Sequence, residues 1–130
     1  MDITTITPQH LFQKLQEKTA ILIDVREAHE YQTQSIPQSL HIPLANIDAE
    51  TPSKFPKDTL LVMQCKSGMR SLSACKQLKS HGYDHIANLE GGIIAWSQAG
   101  LPLQSASTDY LRPIILVGVI LITLYALSYV

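Results

Sequence analysis

The apolar run Leu60-Leu61-Val62-Met63 passes through Gln64 straight into Cys65-Lys66-Ser67-Gly68-Met69-Arg70, and a segment of helical period follows. A short apolar run ending at a Gly-containing turn reads as a buried strand. A strand that feeds a helix through so tight a turn is the repeating unit of a parallel α/β sheet, because parallel strands need a crossover between them. In such sheets ligands gather at the C-terminal strand ends. Cys65 falls at such an end.

The rest of the chain keeps this alternation. Thr7-Pro8 starts a helix, with Thr as cap and Pro at the first helical position, and Leu11, Phe12 and Leu15 recur at helical spacing to about Lys18. Ala20 to Val25 reads as a buried strand whose end carries Asp24 and Arg26. Ala28 to Gln32 fits one helical turn. Ile36-Pro37 and Ile42-Pro43 frame an extended segment, Leu44 to Ala49 a short helix, and Thr51 to Asp58 a loop. A helix is expected from about Ser71 to Ser80, with Leu72, Cys75 and Leu78 on one face and Gly82 as its stop. Ile86 to Leu89 is a further strand. Gly91-Gly92 opens a last helix through Trp96, ended by Gly100 and Pro102.

Charge is distributed unevenly. All ten Lys and Arg lie at or before Arg112 and all eleven Asp and Glu at or before Asp109, so the eighteen residues from Pro113 to Val130 carry none. At ~1.5 Å per residue such a helix spans about 27 Å, enough for the hydrocarbon core of a bilayer. Tyr110, Tyr125 and Tyr129 lie near the two ends, where interfacial aromatics belong. The alternative is a buried core helix, but an all-round apolar segment without a polar face suits lipid better. Arg112 would keep the near end cytoplasmic. The expected division is therefore a globular domain over 1–103, a linker over 104–112 and one transmembrane helix over 113–130, with the domain facing the cytoplasm.

The net charge of −1 argues against a nucleic-acid binder, which needs a basic stripe for phosphates. Two cysteines make no secreted-type disulfide framework, and Met1-Asp2-Ile3-Thr4-Thr5 lacks the basic start and apolar core of a signal peptide. Thiols in the cytoplasm stay reduced. No paired-cysteine spacing suggests a metal, and Gly82 interrupts any helix that would align His81 with His85. His10, His29 and His41 are scattered and read as solvent-facing. Cys75 and Trp96 read as core.

Cys65 stands apart. A thiol is a weak nucleophile until it ionises. At a strand end facing a helix N-terminus, orphan N–H groups and the helix dipole favour the anion. Gly68 lets the loop curl its N–H groups inward as a nest, and Lys66 and Arg70 add two positive charges. Such a bowl suits a thiolate, a persulfide or a thiosulfate-like dianion and needs no histidine base.

Cys65-Lys66-Ser67-Gly68-Met69-Arg70 resembles the six-residue active-site loop of the rhodaneses. Asp24-Val25-Arg26-Glu27 with Glu30-Tyr31 resembles that family's first signature. Leu89-Glu90-Gly91-Gly92-Ile93, Trp96 and Ala99-Gly100-Leu101-Pro102 resemble its last. The matches fall in the family's order and span about residues 3 to 103. One stretch departs: Gln34, Ser35, Gln38 and Ser39 replace the usual glycines, histidine and alanine around Ile36-Pro37. The departure bears on local turns and leaves the nucleophile intact.

The resemblance implies a three-layer α/β fold with a mostly parallel central sheet, and a sulfurtransferase without a cofactor. Cys65 would take the sulfane sulfur, the backbone of Lys66, Ser67, Gly68, Met69 and Arg70 would cradle it, and Arg70 would bind the anionic donor. Asp24 and Arg26 would brace the sheet by ion pairing. The implied donor is thiosulfate, glutathione persulfide or a similar small sulfur compound. The implied acceptor is cyanide or a thiol, a protein thiol included. Some rhodanese-like proteins also carry a C-terminal membrane region. Two rivals differ in class. A non-catalytic binding module typically lacks the cysteine, which is present here. A tyrosine phosphatase has five residues between cysteine and arginine and a histidine before the cysteine. Here there are four, preceded by Gln64.

Overall fold

The computed structural model describes residues 2–105. Its elements are β1 (Thr5–Ile6), α1 (Pro8–Gln16), β2 (Ala20–Asp24), α2 (Ala28–Thr33), β3 (Leu40–His41), β4 (Leu60–Gln64), α3 (Met69–Ser80), β5 (Ile86–Leu89) and α4 (Gly92–Gln98). Two 3-10 turns, Leu44–Asn46 and Thr51–Lys54, lie between β3 and β4. The five strands form one sheet in the order β1-β5-β4-β2-β3, and every neighbouring pair is parallel. Among the described residues the one antiparallel pairing is an isolated bridge between Ser35 and Gln104.

Side-chain alternation along the strands builds a core on each face of the sheet. Leu22, Val62, Ala87 and Leu89 point to one side, where Leu11 and Leu15 of α1 and Ile93 and Trp96 of α4 cover them. Ile23, Leu61, Met63 and Ile86 point to the other, under Ala74, Cys75 and Leu78 of α3. The result is the expected helix–sheet–helix layering.

Several local readings shift. β1 was not anticipated; two residues, Thr5 paired with Asn88 and Ile6 with Leu89, are too short a run to show a period. The segment 51–58 is not wholly loop, because Pro52 sits in the first turn of a 3-10 helix. α3 starts at Met69, two residues before the expected Ser71, because Gly68 at φ +108 caps it. Its buried face is Ser71, Ala74, Cys75 and Leu78, and Leu72 is only partly covered. His41 is not solvent-facing: its ring stacks on Tyr31 at 4.6 Å and its Nε2 lies 2.7 Å from the carbonyl oxygen of Arg26. His10 and His29 are exposed. Among the described residues no helix is long and apolar enough to cross a membrane. The expected span 113–130 and most of the linker lie outside the described residues.

Candidate active site

β4 is the middle strand of the sheet, and Cys65 is the first residue past its C-terminal end. The backbone turns there and α3 begins four residues later, so the helix N-terminus faces the sulfur. Cys65 Sγ accepts a hydrogen bond from the Gly68 N–H at 3.1 Å and one from the Ser71 hydroxyl at 3.3 Å. Burial raises the thiol's pKa, since Cys65 is only 1% exposed. The Ser71 hydroxyl and the N–H groups of Ser71, Gly68 and Ser67 outweigh that, and the net shift is downward. Cys75, one turn along α3 from Ser71, has only its own N–H to lower its pKa. Burial, with the nearby Cys65, pushes its thiol up to about 12.

The loop is held from three directions. From α4, Ile93 and Ile94 donate their N–H groups to the Cys65 and Lys66 carbonyls at 2.9 and 3.2 Å. From β5, the Asn88 amide donates to the Gly68 carbonyl at 3.0 Å, and within β4 the Gln64 amide donates to the Cys65 carbonyl at 2.9 Å. From α2, Glu30 receives both arms of the Arg70 guanidinium at 2.6 and 3.0 Å. The Arg70 hydrogen bond holds the Glu30 carboxyl down to about 2, against an opposing effect of burial.

α2 is in turn fixed by a buried ion pair. Arg26 Nη2 lies 2.7 Å from Asp24 Oδ2, Arg26 Nε donates to both carboxylate oxygens at 3.0 Å, and the Arg26 N–H donates to Oδ1 at 2.9 Å. Nη2 also donates to the Gln34 carbonyl at 2.7 Å, just past the end of α2. Asp24 and Arg26 are thus paired with each other at the end of β2, the strand next to β4.

The cradle residues separate into distinct situations. Gly68 is buried and Ser67 exposed, each with its N–H toward the sulfur; Met69 is 72% exposed and turns its side chain outward. Neither Lys66 nor Arg70 places a side-chain hydrogen bond on Sγ. The Arg70 side chain is engaged by Glu30, and Lys66 is exposed and outside both ion pairs. The sequence reading assigned Ser71 and Asn88 no part in the site. Ser71 had a signal: it is a polar residue in register with the apolar stripe of α3. Asn88, a lone polar residue inside an otherwise apolar strand, had a weaker one. No cluster of three or more His, Cys, Asp or Glu among the described residues could hold a metal ion.

The sequence profile of the rhodanese-like domain matches residues 7–99. A sulfurtransferase of Allochromatium vinosum is 38% identical over 102 residues, covering 78% of this chain and 94% of that one. The thiosulfate sulfurtransferase GlpE of Actinobacillus succinogenes is 29% identical over 106 residues, covering 82% and 95%. The crystal structure of a rhodanese-like domain protein from Staphylococcus aureus superposes with a TM-score of 0.64 at 33% identity, over 72% of this chain and 91% of that one. With the parallel sheet, the six-residue loop and this match in place, the chain belongs to the rhodanese-like domain family.

Proposed function

We propose that this chain is a sulfurtransferase that carries sulfane sulfur on Cys65. The Cys65 thiolate attacks the outer sulfur of thiosulfate or of a small persulfide. A bond forms between Sγ and that sulfur, the donor's own S–S bond breaks, and the electron pair leaves with sulfite or a thiolate. A nucleophilic acceptor, a thiol or cyanide, then takes the outer sulfur and returns the thiolate. One covalent intermediate joins two half-reactions, so the kinetics are ping-pong. The observation that carries this reading is the sulfur held at a helix N-terminus by the Gly68 N–H and the Ser71 hydroxyl. That setting favours an anion, and among the described residues no histidine hydrogen-bonds the sulfur. The thiosulfate sulfurtransferase of Actinobacillus succinogenes, similar over most of its length, supports thiosulfate as one donor.

The test is intact mass of the chain after thiosulfate, beside Cys65→Ser. A gain of one sulfur, reversed by cyanide and absent in the variant, is the expected result. No gain with thiosulfate or glutathione persulfide, or steady phosphate release from an aryl phosphate, would sink the proposal.

Residues 113–130 further suggest attachment to a membrane, with the domain on the cytoplasmic side where Arg112 lies. The eighteen chargeless residues support this. The full chain is expected to stay with membranes through a carbonate wash, and a chain ending at Asp109 to be released. Retention of the shortened chain would refute the anchor.

A further inference from the structure

Two buried side-chain atoms among the described residues have no hydrogen-bond partner, Gln64 Oε1 and Asn88 Oδ1. Gln64 is 0% and Asn88 6% exposed, so solvent does not compensate either oxygen. Both belong to amides whose nitrogen grips the Cys65 loop. Gln64 Nε2 donates to the Cys65 carbonyl at 2.9 Å, and Asn88 Nδ2 donates to the Gly68 carbonyl at 3.0 Å. The orientation is dictated, because either amide turned over would set its oxygen against a carbonyl oxygen.

Neither carbonyl needs the amide to be satisfied. The Cys65 carbonyl also accepts the Ile93 N–H at 2.9 Å, and the Gly68 carbonyl also accepts the Leu72 N–H at 3.1 Å. A buried oxygen without a partner costs at least as much as the amide's own hydrogen bond returns, and an apolar side chain of the same shape would be no less stable. Stability therefore does not account for two such amides on one loop. Their placement does. Gln64 shares the face of Val62, toward α1 and α4, and Asn88 the face of Ile86, toward α3. The loop is gripped near its start and near its end, from opposite faces of the sheet.

In a trans peptide the carbonyl and the next N–H point opposite ways, so a held carbonyl aims an N–H. Glycine leaves its own conformation open. The curl at Gly68, with φ +108, brings its N–H to 3.1 Å from Sγ and needs a hold from outside. We propose that Asn88 and Gln64 are positioning residues for Cys65, fixing the loop carbonyls so that the loop N–H groups converge on the sulfur. The inference rests on the reading of Cys65 as the nucleophile and adds what orders the loop around it.

The experiment uses the full chain with Asn88→Leu and with Gln64→Met, which remove the donor and the orphaned oxygen at similar volume. Iodoacetamide alkylation of the Cys65 peptide is followed by mass across pH, beside urea melts and thiosulfate loading. Each variant should keep or raise the urea midpoint. Each should move the ascending limb of the alkylation profile up by about 0.5–1 pH unit, with roughly three- to tenfold slower alkylation at neutral pH. A side chain that serves packing alone would lower the melt and leave the limb in place. If either larger side chain prevents folding, Asn88→Ala and Gln64→Ala remove the same donors and are read on the same limb. A limb unmoved in either position overturns the proposal. If the limb moves and thiosulfate does not load the unsubstituted chain, the positioning role stands and thiosulfate transfer fails. If thiosulfate loads it and the limb is unmoved, sulfur transfer stands and the positioning role fails.

Discussion

The Cα of Gly92 packs so closely on Lys66 that a Cβ added there would stand 2.4 Å from the Lys66 carbonyl oxygen. The Cys65 carbonyl oxygen would be 2.6 Å away, and the backbone at Gly92 has φ +61. This approach lets Ile93 and Ile94 donate their N–H groups to the two loop carbonyls. The start of α4 is thereby docked on the loop that α3 caps from the other side.

Gly92→Ala should accordingly be damaging twice over. The positive φ disfavours alanine by about 1–2 kcal/mol. Overpacking against rigid backbone adds about 1–3 kcal/mol. Displacing the loop should also slow persulfide formation roughly tenfold or more. Gly82 is the control, because it too has positive φ, +88, but a Cβ there would meet nothing within 4 Å. Gly82→Ala should lose only about 1–2 kcal/mol and keep its activity. Urea melts and the thiosulfate mass shift of the two variants check this. Equal losses would show that close approach at Gly92 does not matter.

The Asp24–Arg26 pair offers a different kind of prediction. Asp24 is 0% and Arg26 5% exposed, so removing one partner strands a buried charge. Arg26→Met and Asp24→Asn should each lose about 3–5 kcal/mol, a large part of the stability of a domain this size. Asp24→Asn combined with Arg26→Met should lose clearly less than the two single losses added together, because no lone charge remains. Denaturant melts of the single and double variants decide it. Strict additivity would mean that the pair does not act as a unit.

Much of this arrangement was legible in the sequence, for identifiable reasons. β2, β4 and β5 are apolar runs long enough to declare themselves, and Gly68 between β4 and α3 marks where a nest can form. β1 was invisible because a two-residue strand has no period. The engagement of Arg70 by Glu30 was illegible because it spans forty positions and depends on how α2 meets the loop. Sequence reasoning credited Lys66 and Arg70 with activating Cys65. The contacts at Sγ come instead from N–H groups and Ser71, which are set by backbone curvature that residue type does not report. The stacking of His41 on Tyr31 likewise follows from β3 lying beside β2.

Ser71 should matter through the ionisation of Cys65. Its hydroxyl and N–H lower the thiol's pKa against the effect of burial. A lowered pKa means that thiolate is present at lower pH than for an ordinary cysteine. Ser71→Ala removes the hydroxyl donor, so the pKa rises and the ascending limb of the rate–pH profile moves to higher pH. At neutral pH, persulfide formation should fall on the order of tenfold, the size of one hydrogen bond to a charged group. At alkaline pH, where both proteins are ionised, the rates should converge. Alkylation of Cys65 by iodoacetamide, followed by mass across pH, reads the same limb without substrate. A uniform loss at every pH would assign Ser71 to packing.

The last prediction concerns the stretch where the sequence departs from its family's usual pattern. Ile36-Pro37-Gln38-Ser39 forms a tight turn in which the Ser39 N–H donates to the Ile36 carbonyl at 3.2 Å, and Gln38 has φ +71. Proline at the second position and positive φ at the third are the marks of a type II turn, whose third position favours glycine. Gln38 is exposed, and no hydrogen bond from its side chain offsets the strain. Gln38→Gly removes about 1–2 kcal/mol of left-handed strain, while glycine's greater freedom in the unfolded chain takes back about 0.4–1 kcal/mol. The net expectation is a gain of about 0.5–1 kcal/mol, a rise in Tm of roughly 2–8 °C for a domain of this length. Sulfur loading of Cys65 should be unchanged, since Gln38 is exposed and lies outside the Cys65 loop. A thermal melt of Gln38→Gly beside Gln38→Ala checks the cause. Ala shortens the side chain without relieving φ, so an equal gain from Ala would show that strain at this position is not what limits stability.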